Sequence, residues 1–433
     1  MAGSRTLKKS LSDWLAHISA QHPSTIALGL DRVREVAGRM ELPSVALAKA
    51  GAQPCTITVG GTNGKGSTCA LLEAILLEAG YRVGTYTSPH ILRYNERVRI
   101  QGVEAEDAAL VQAFERVEAA RGRTPLTYFE FGTLAALAMF RDAKLEAMVL
   151  EVGLGGRLDA VNIVDADCAI VVTVDLDHQA FLGDDRESIG FEKAGIFRAG
   201  RPAIFGDTDP PARLAGHARA IGAELQVLGR DFRIEASERQ WDFIGRRSTR
   251  RALPIPALRG RWQLKNAAAA LAALDEVAQR LPLSVGEVKR GLATVRLAGR
   301  LQSLPGRPAI VLDVAHNPHA ARSLAEALGE MGFFESTFAV FAMLADKDIG
   351  GVVDAVRHRI DRWYVSAAQA DRAASAEAVA RVLAGRGIEA VRTFATVDAA
   401  LQAARRDAGS NDRIVVFGSF HTVAEALRSA RSI

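Results

Sequence analysis

The chain has 433 residues, more than one typical hydrophobic core holds, and this length predicts two or three domains. A hydrophobic fraction of 48% and a charged fraction of 24% are ordinary for a soluble globular enzyme. The net charge of +4 is small and the basic residues are scattered, which argues against nucleic acid and favours anionic small molecules as partners. Three cysteines without CxxC spacing fit a reducing cytosol, and no apolar run could span a bilayer, so we expect a cytoplasmic protein without membrane partners.

The first predicted helix follows Ser10, which can cap it, and its apolar face holds Leu11, Trp14, Leu15 and Ile18. After it, short apolar runs alternate with amphipathic helices, as in a parallel sheet with helices on its faces. The predicted strands here are residues 56–59, 83–86, 147–152, 168–174 and 202–205. The predicted helices are residues 65–79, 106–120, 131–144, 191–197 and 211–221.

The chain then becomes more polar, and residues 228–256 predict a small β element before helices at 263–280 and 284–293. Residues 297–301 are predicted to be a hinge, because a new series of strands begins beyond them. Those strands are residues 309–312, 337–341, 362–365, 390–393 and 413–417. We therefore predict an α/β fold with two domains: a P-loop-type domain with a mostly parallel sheet and flanking helices (1–296), and a smaller, Rossmann-like α/β domain (297–433).

Residues 59–68 are the most informative segment, because a strand, a glycine turn, a lysine, two hydroxyls and a helix follow in order. Backbone N–H groups of such a turn and the positive end of the helix face an anion, and Lys65 adds a point charge. The segment departs from the common P-loop pattern, since Gly66 separates Lys65 from Ser67 and Thr68. An ordinary glycine-rich turn would not need these polar residues, so nucleotide phosphate binding is favoured.

Three polar residues are predicted at strand ends, where α/β sheets bind ligands. Glu151 closes an apolar strand and precedes a glycine-rich segment, as an Mg²⁺ carboxylate beside a P-loop would. His178 is predicted at the end of the next strand, and Ser88 offers a hydroxyl to the same edge. Each of them alone could be an ordinary rim residue. Their predicted convergence on one cleft favours a metal site.

Other residues stay ambiguous on their own patterns. Lys193 alone would read as a helical lysine that pairs weakly with Glu192. Asp313 and His316 follow a strand of the second domain, where a turn with a capping aspartate is a serious alternative to a ligand site.

Several motifs in this order make the chain similar to the folylpolyglutamate synthase and dihydrofolate synthase family, within the Mur-type ATP-dependent ligases. They include GTNGKGST (61–68), YTSPH (86–90), YFEFGTLAAL (128–137), LEVGLGGRLDA (150–160), FEKAGIF (191–197) and LDVAHNPHAA (312–321). Members of this family join a carboxylate to an amine at the expense of ATP. The resemblance covers nearly the whole chain and is far more specific than a P-loop alone.

The resemblance implies ATP as co-substrate, two Mg²⁺ sites and, as a further cation, K⁺. It assigns ATP binding to Thr62, Asn63, Gly64, Lys65, Gly66, Ser67, Asn266, Arg300 and Asp313. It assigns metal binding to Ser88, Glu151, His178 and a carbamylated Lys193. It gives catalytic roles to Lys65 and Lys193, and His316 is expected to orient or deprotonate an incoming amine.

The resemblance also implies a site for dihydropteroate or a reduced folate, to which L-glutamate is added. Its residues are Ala27, Leu28, Gly29, Leu30, Thr127, Tyr128, Phe129, Glu130, Leu158, Asp159 and Ala160. Ala27 replaces the acidic residue expected in bifunctional members, which makes dihydropteroate binding there less secure. Asp31 lies nearby.

A bifunctional dihydrofolate synthase/folylpolyglutamate synthase is therefore expected, and the family leans towards monomers. The alternatives are an enzyme limited to folate chain extension, another Mur-type ligase, and, from a different class, a P-loop nucleotide switch that ligates nothing.

Overall fold

The computed structural model describes residues 9–24, 26–42 and 53–431. The chain separates into two compact units. Among the described residues, the first comprises those up to Ser88, with Tyr94–Ile255 and Lys265–Thr294; the second comprises Pro89–Arg93, Pro256–Leu264 and the residues from Val295 onward. Two short segments from earlier in the chain thus belong to the second unit, and a functional boundary at residue 297 stays a prediction.

The first unit contains most of the strands and helices. Its strands are β1 (Cys55–Gly60), β2 (Val83–Tyr86), β3 (Val98–Ile100), β4 (Val103–Glu104), β5 (Ala147–Glu151), β6 (Cys168–Val171), β7 (Pro202–Phe205), β8 (Glu224–Val227), β9 (Arg233–Ala236), β10 (Gln240–Ile244) and β11 (Thr249–Pro254). Its helices are α1 (Leu11–Ser19), α2 (Asp31–Arg39), α3 (Lys65–Glu78), α4 (Asp107–Arg121), α5 (Tyr128–Asp142), α6 (Gln179–Leu182), α7 (Arg186–Ala194), α8 (Ala212–Ile221), α9 (Trp262–Glu276, of which residues 265–276 belong here) and α10 (Val285–Thr294).

The main sheet has the strand order β4-β3-β2-β5-β1-β6-β7-β8. Strands β2, β5, β1, β6, β7 and β8 run parallel, and only β3 and β4 are antiparallel additions at one edge. Residue Val59 of β1 pairs with Glu151 of β5, and Gly60 pairs with Val171 of β6. The carboxyl ends of these central strands therefore lie side by side at one edge of the sheet.

The central strands of the main sheet are buried on both faces. Every residue of β1 is buried, as expected for a parallel strand between two layers of helices. Trp14 and Ile18 of α1 are buried in the same core, and Ser10 and Asp13 form a capping box at the start of that helix. The predicted amphipathic face of α1 is thus confirmed.

The second unit is a smaller α/β structure. Its strands are β12 (Gln302–Leu304), β13 (Ala309–Leu312), β14 (Thr337–Phe341), β15 (Arg362–Ser366), β16 (Val391–Phe394) and β17 (Arg413–Phe417). Its helices are α11 (Pro318–Glu330), α12 (Ile349–Val356), α13 (Ala376–Ala384), α14 (Val397–Asp407) and α15 (Phe420–Arg431). The strand order is β12-β13-β17-β14-β15-β16, and every pair except β12–β13 is parallel.

The predicted fold class is confirmed, and the small β element predicted over 228–256 is the antiparallel sheet β11-β10-β9. None of the helices in the described ranges is long and apolar enough to cross a membrane. Four predicted elements have bounds that are wrong by three residues or more. The helix predicted over 131–144 runs from Tyr128 to Asp142, because Thr127 caps it, and the helix predicted over 263–280 ends at Glu276. The strand predicted over 168–174 stops at Val171, because Thr173 binds the glycine turn instead of a neighbouring strand. The helix predicted over 191–197 begins at Arg186, because the Asp185 carboxylate caps it by accepting from Ser188 N–H.

Candidate active site

The glycine turn lies between β1 and α3, at the carboxyl edge of the main sheet. Gly64 is the N-cap of α3 and has a φ of +85°. Lys65 is the first helical residue, and its Nζ donates to the carbonyls of Gly61 (2.9 Å) and Thr62 (3.2 Å). The ammonium group is thereby held against the turn, where the helix N-terminus also favours an anion. Ser67 is buried close behind, whereas the Thr68 hydroxyl donates back to the Gly64 carbonyl (3.0 Å).

The segment after β6 holds the turn in place, a contribution that the sequence patterns did not indicate. The Thr173 carbonyl accepts from Thr62 N–H (2.8 Å), and the Thr173 hydroxyl accepts from Asn63 N–H (3.0 Å). The Thr62 hydroxyl donates to the Asp175 carbonyl (3.0 Å) and accepts from Asp175 N–H (3.0 Å). The backbone of the turn is therefore fixed by the segment that follows the neighbouring strand, which is the kind of preorganisation that phosphate binding needs.

Asn266 lies against the turn from α9. Its side chain is buried, and its Oδ1 would be only 2.6 Å from a Cβ added at Gly64, with Val172 Cγ1 at 2.8 Å. The glycine is therefore required both by its positive φ and by the space that Asn266 fills. This position is compatible with the predicted contact of Asn266 with ATP, which stays a prediction.

We expect Gly64→Ala to raise the KM for ATP by at least about tenfold, because the added methyl group must displace Asn266 or the turn. Positive φ in a non-glycine residue adds about 1–2 kcal/mol of strain in the folded state. Gly80→Ala is the matched control: Gly80 has a φ of +83° and nothing within 4 Å of an added Cβ. The KM for ATP is measured by nucleotide titration, and the strain is measured by denaturant unfolding. Equal KM values for ATP in the two variants would contradict the steric explanation.

Glu151 is the last residue of β5, as predicted, and its side chain is buried. One of its carboxylate oxygens accepts from Ser88 N–H (3.1 Å), so the two residues lie together at the sheet edge beside the glycine turn. The structure thus brings together two of the four predicted metal ligands.

His178 is not at a strand end, contrary to prediction. It follows a loop, occupies the N-cap position of the short helix α6 without a side-chain capping bond, and has a φ of +53°. Its ring is about one-third exposed, with Nε2 3.9 Å from Asp177 Oδ1. Its participation with Glu151 in one metal site stays a prediction.

Lys193 lies in the last turn of α7 and is buried, with only 4% of its surface exposed. Burial, together with the positive charge of Lys65, lowers the pKa of Lys193 to about 7, although the charges of Asp177 and Asp159 oppose the shift. Lys193 is thus near enough to Lys65 for the charge of Lys65 to affect its pKa. An amine in this environment is partly neutral at physiological pH, the state in which a lysine reacts with CO₂.

The donors at this edge are compatible with a magnesium ion. The described ranges contain no group of three or more His, Cys, Asp or Glu residues arranged for a metal. Mg²⁺ does not require one, since it commonly binds one or two protein carboxylates together with water and substrate phosphates. Glu151, which is buried beside the glycine turn, is a carboxylate suitably placed for this, and its metal role stays a prediction.

The three segments predicted to bind the pteroate all lie in the first unit, and two of them are joined directly. Gly29 N–H donates to the Leu158 carbonyl (3.3 Å), which joins the loop 27–30 to the segment 158–160. Thr127 caps α5 through a capping box with Glu130, and the Phe129 ring contacts Tyr86 with centroids 5.8 Å apart. The three segments also contain the other predicted contacts, Leu28, Leu30, Tyr128 and Ala160. Asp31 is exposed at the start of α2.

Asp159 is the one titratable group among these segments with a large shift. Its carboxylate accepts N–H bonds from Leu154 (2.9 Å) and Val161 (3.0 Å). Burial nevertheless raises the pKa of Asp159 to about 7, because desolvation outweighs these hydrogen bonds. A buried carboxyl that can carry a proton near neutral pH suits recognition of a heterocycle with both donors and acceptors.

In the second unit, Arg300, Asp313 and His316 lie around the carboxyl end of β13. Asp313 accepts N–H bonds from Leu301 (2.8 Å) and Ala315 (2.8 Å), which hold the backbone on both sides of its carboxylate. Burial raises the pKa of Asp313, and the charge of Arg300 opposes this shift. The Arg300 guanidinium lies 5.1 Å from the Phe420 ring centroid, and the His316 ring centroid lies 6.1 Å from it. Asn317, not Asp313, caps α11.

A glycine turn at the carboxyl edge of a mostly parallel sheet, followed by a separate α/β unit, fits the class of Mur-type ligases. Residues 59–274 match the Mur ligase middle domain, and residues 299–420 match the Mur ligase glutamate ligase domain. The chain is 44% identical over 417 residues to the dihydrofolate synthase/folylpolyglutamate synthase of Escherichia coli (strain K12), covering 96% of this chain and 94% of that relative. This chain belongs to the dihydrofolate synthase/folylpolyglutamate synthase family, and the resemblance inferred from its motifs is confirmed.

Solved structures agree with this membership. The chain superposes on E. coli FolC in complex with DHPP and ADP with a TM-score of 0.92, at 43% identity and with 98% of each chain covered. It superposes on a bifunctional folylpolyglutamate synthase/dihydrofolate synthase with Mn, AMPPNP and L-glutamate bound with a TM-score of 0.89, at 44% identity and again with 98% of each chain covered. The chain is thus similar throughout its length to ATP-dependent ligases that bind nucleotide and a divalent metal.

Proposed function

We propose that this protein adds L-glutamate to dihydropteroate, forming dihydrofolate, and to reduced folates, forming polyglutamates, in each case at the expense of ATP. The observation that carries the proposal is the hydrogen bond between Gly29 and Leu158, which joins two of the three predicted pteroate segments in the same unit that holds the glycine turn. The 44% identity to a bifunctional relative over nearly the full chain supports both activities.

The reaction needs activation, because the oxygen of a carboxylate is a poor leaving group. The γ-phosphoryl group of ATP is transferred to the pteroate or terminal glutamyl carboxylate, which gives an acyl phosphate and ADP. The amino group of L-glutamate then attacks the acyl carbon, and inorganic phosphate leaves from the tetrahedral intermediate. Lys65 and the N–H groups of the turn bind the phosphates, so positioning and electrostatic stabilisation supply most of the catalysis.

A divalent metal would be held by Ser88, Glu151 and His178, and a second one by carbamylated Lys193. A bound Mg²⁺ supplies charge neutralisation for the phosphoryl oxygens and orients them. Glu151 supports this assignment through its burial and its contact with Ser88. Carbamylation would convert the Lys193 amine and CO₂ into an anionic carbamate with release of one proton, and burial, which favours the neutral amine, supports it. Two Mg²⁺ sites and a K⁺ requirement belong to this proposal.

Asn266, Arg300 and Asp313 are proposed ATP contacts, and His316 is proposed to orient the amine of glutamate. The position of Asn266 beside Gly64 supports the first of these assignments. We further propose a monomer in the cytoplasm, where the three free, buried cysteines would stay reduced.

The test is ATP-dependent phosphate release with L-glutamate, with dihydropteroate in one reaction and tetrahydrofolate in another. Release in both reactions, with the ligated products detected by mass spectrometry, is the expected result. Release with tetrahydrofolate alone would indicate an enzyme limited to folate chain extension. Ala27 would then be the first residue to test as the cause of the lost dihydropteroate binding. Glutamate-independent hydrolysis would favour a nucleotide switch, and no release would direct the search to substrates of other Mur-type ligases.

A further inference from the structure

One arginine side chain joins two of the three segments of the pteroate site. Arg32 lies in the first turn of α2, directly after the loop 27–30. Its Nη2 donates to the Ala27 carbonyl (2.8 Å) and to Glu130 Oε1 (2.9 Å), and its Nε donates to Glu130 Oε2 (3.3 Å). The guanidinium therefore contacts the beginning of the loop and a carboxylate of α5 simultaneously.

The Glu130 carboxylate, which accepts from Arg32, is itself held in place. The Glu130 side chain is only 4% exposed, and its Oε2 also accepts from Thr127 N–H (2.8 Å). The Thr127 hydroxyl accepts from Glu130 N–H (3.2 Å) in return, which completes the capping box of α5. Arg32 is thus attached to the N-terminus of α5, whose first two residues, Tyr128 and Phe129, are predicted substrate contacts.

The far end of the loop is fixed separately. Gly29 N–H donates to the Leu158 carbonyl, next to buried Asp159. The loop is therefore held at Ala27 by Arg32 and at Gly29 by the third segment. Because position 27 carries only a methyl group, the side chain there cannot hold the loop, and the contact with Arg32 is made entirely through the backbone.

We propose that Arg32 is a positioning residue of the pteroate site, which holds the loop 27–30 against α5 so that both segments bind one substrate. The inference rests on the proposed function. A planar guanidinium suits this task because its fork of N–H donors can serve a carboxylate and a carbonyl together, whereas a lysine ammonium acts as a single point charge.

The test compares Arg32→Gln, Arg32→Lys and Arg34→Gln with the wild-type enzyme. Arg34 lies on the same helix, is exposed and is the matched control. We expect Arg32→Gln to raise the KM for dihydropteroate by at least about tenfold while the KM for ATP stays within about twofold. Arg32→Lys keeps the charge but not the fork and should give an intermediate KM, and Arg34→Gln should leave both constants unchanged.

A KM for dihydropteroate within twofold of wild type in Arg32→Gln would overturn the inference, and so would an equal rise in the KM for ATP. If thermal unfolding shows that Arg32→Gln does not fold, Arg32→Lys decides by the same two KM values. A rise in the KM for dihydropteroate without a rise in the KM for ATP supports the positioning role, and unchanged KM values overturn it. Wild-type enzyme that releases no phosphate with dihydropteroate would instead refute the dihydrofolate synthase activity, and with it this role of Arg32.

Discussion

Lys65→Ala is expected to lower kcat/KM for ATP-dependent ligation by about 10³-fold or more, with both pteroate and folate substrates. The ammonium group is held at the helix N-terminus by the Gly61 and Thr62 carbonyls, where charge develops on the transferred phosphoryl group. Loss of these two hydrogen bonds should cost only about 1–2 kcal/mol of stability, so the fold should persist. Phosphate release and thermal unfolding are the measurements.

Lys144→Ala is the control for the Lys65 variant. Lys144 is exposed in the turn after α5, so its removal should affect neither ligation nor ATP binding. Glutamate-dependent turnover at a near wild-type rate in Lys65→Ala would refute the assignment of the phosphate turn.

Lys193→Ala is expected to lower kcat by at least about 10²-fold, because it removes the proposed anionic ligand from a buried site. Added formate or acetate should restore part of the activity, since a small carboxylate can occupy the space left by the carbamate. The rate is measured against carboxylate concentration, and ¹³C NMR after incubation with ¹³C-bicarbonate should show a carbamate signal in wild type that the variant lacks.

The Lys65→Ala variant is the matched control for this rescue, because it lacks a cation and a carboxylate should not restore it. If Lys193→Ala shows no rescue and wild type shows no carbamate signal, Lys193 is a structural lysine and the second metal site loses its ligand.

The structure of the glycine turn could be predicted from sequence because its signals are local. A strand, glycines, Lys65 and a helix occupy one continuous stretch, and the burial of β1 and the start of α3 follow from these residues. Glu151 was predictable for a similar reason, since an apolar strand leads directly to it. The bounds of β2, β7, β13, β14 and β17 likewise agree with those of the predicted strands, because each is a short apolar run between polar turns.

The contacts that hold the site together were not predictable in this way. Thr173 and Arg32 act on residues 110 and 98 positions away, and no periodicity or motif marks such partners. The hydrogen bonds of Thr173 to the turn also end β6 early and place His178 beyond a loop. The start of α7 did have a local signal, since Asp185 and Ser188 form a capping pair ahead of the apolar residues.

The discontinuous composition of the second unit has a consequence for making fragments of this protein. Ile91 and Leu92 pack against one hydrophobic core of that unit, and Trp262 packs against another, although all three precede residue 297 in the chain. A recombinant fragment beginning at residue 297 would lack these side chains, and a fragment ending at residue 296 would carry them exposed. Expression of either half from a single cut should therefore give aggregation-prone material, and isotope labelling or crystallisation of an isolated half requires a chain in which these segments have been grafted or replaced.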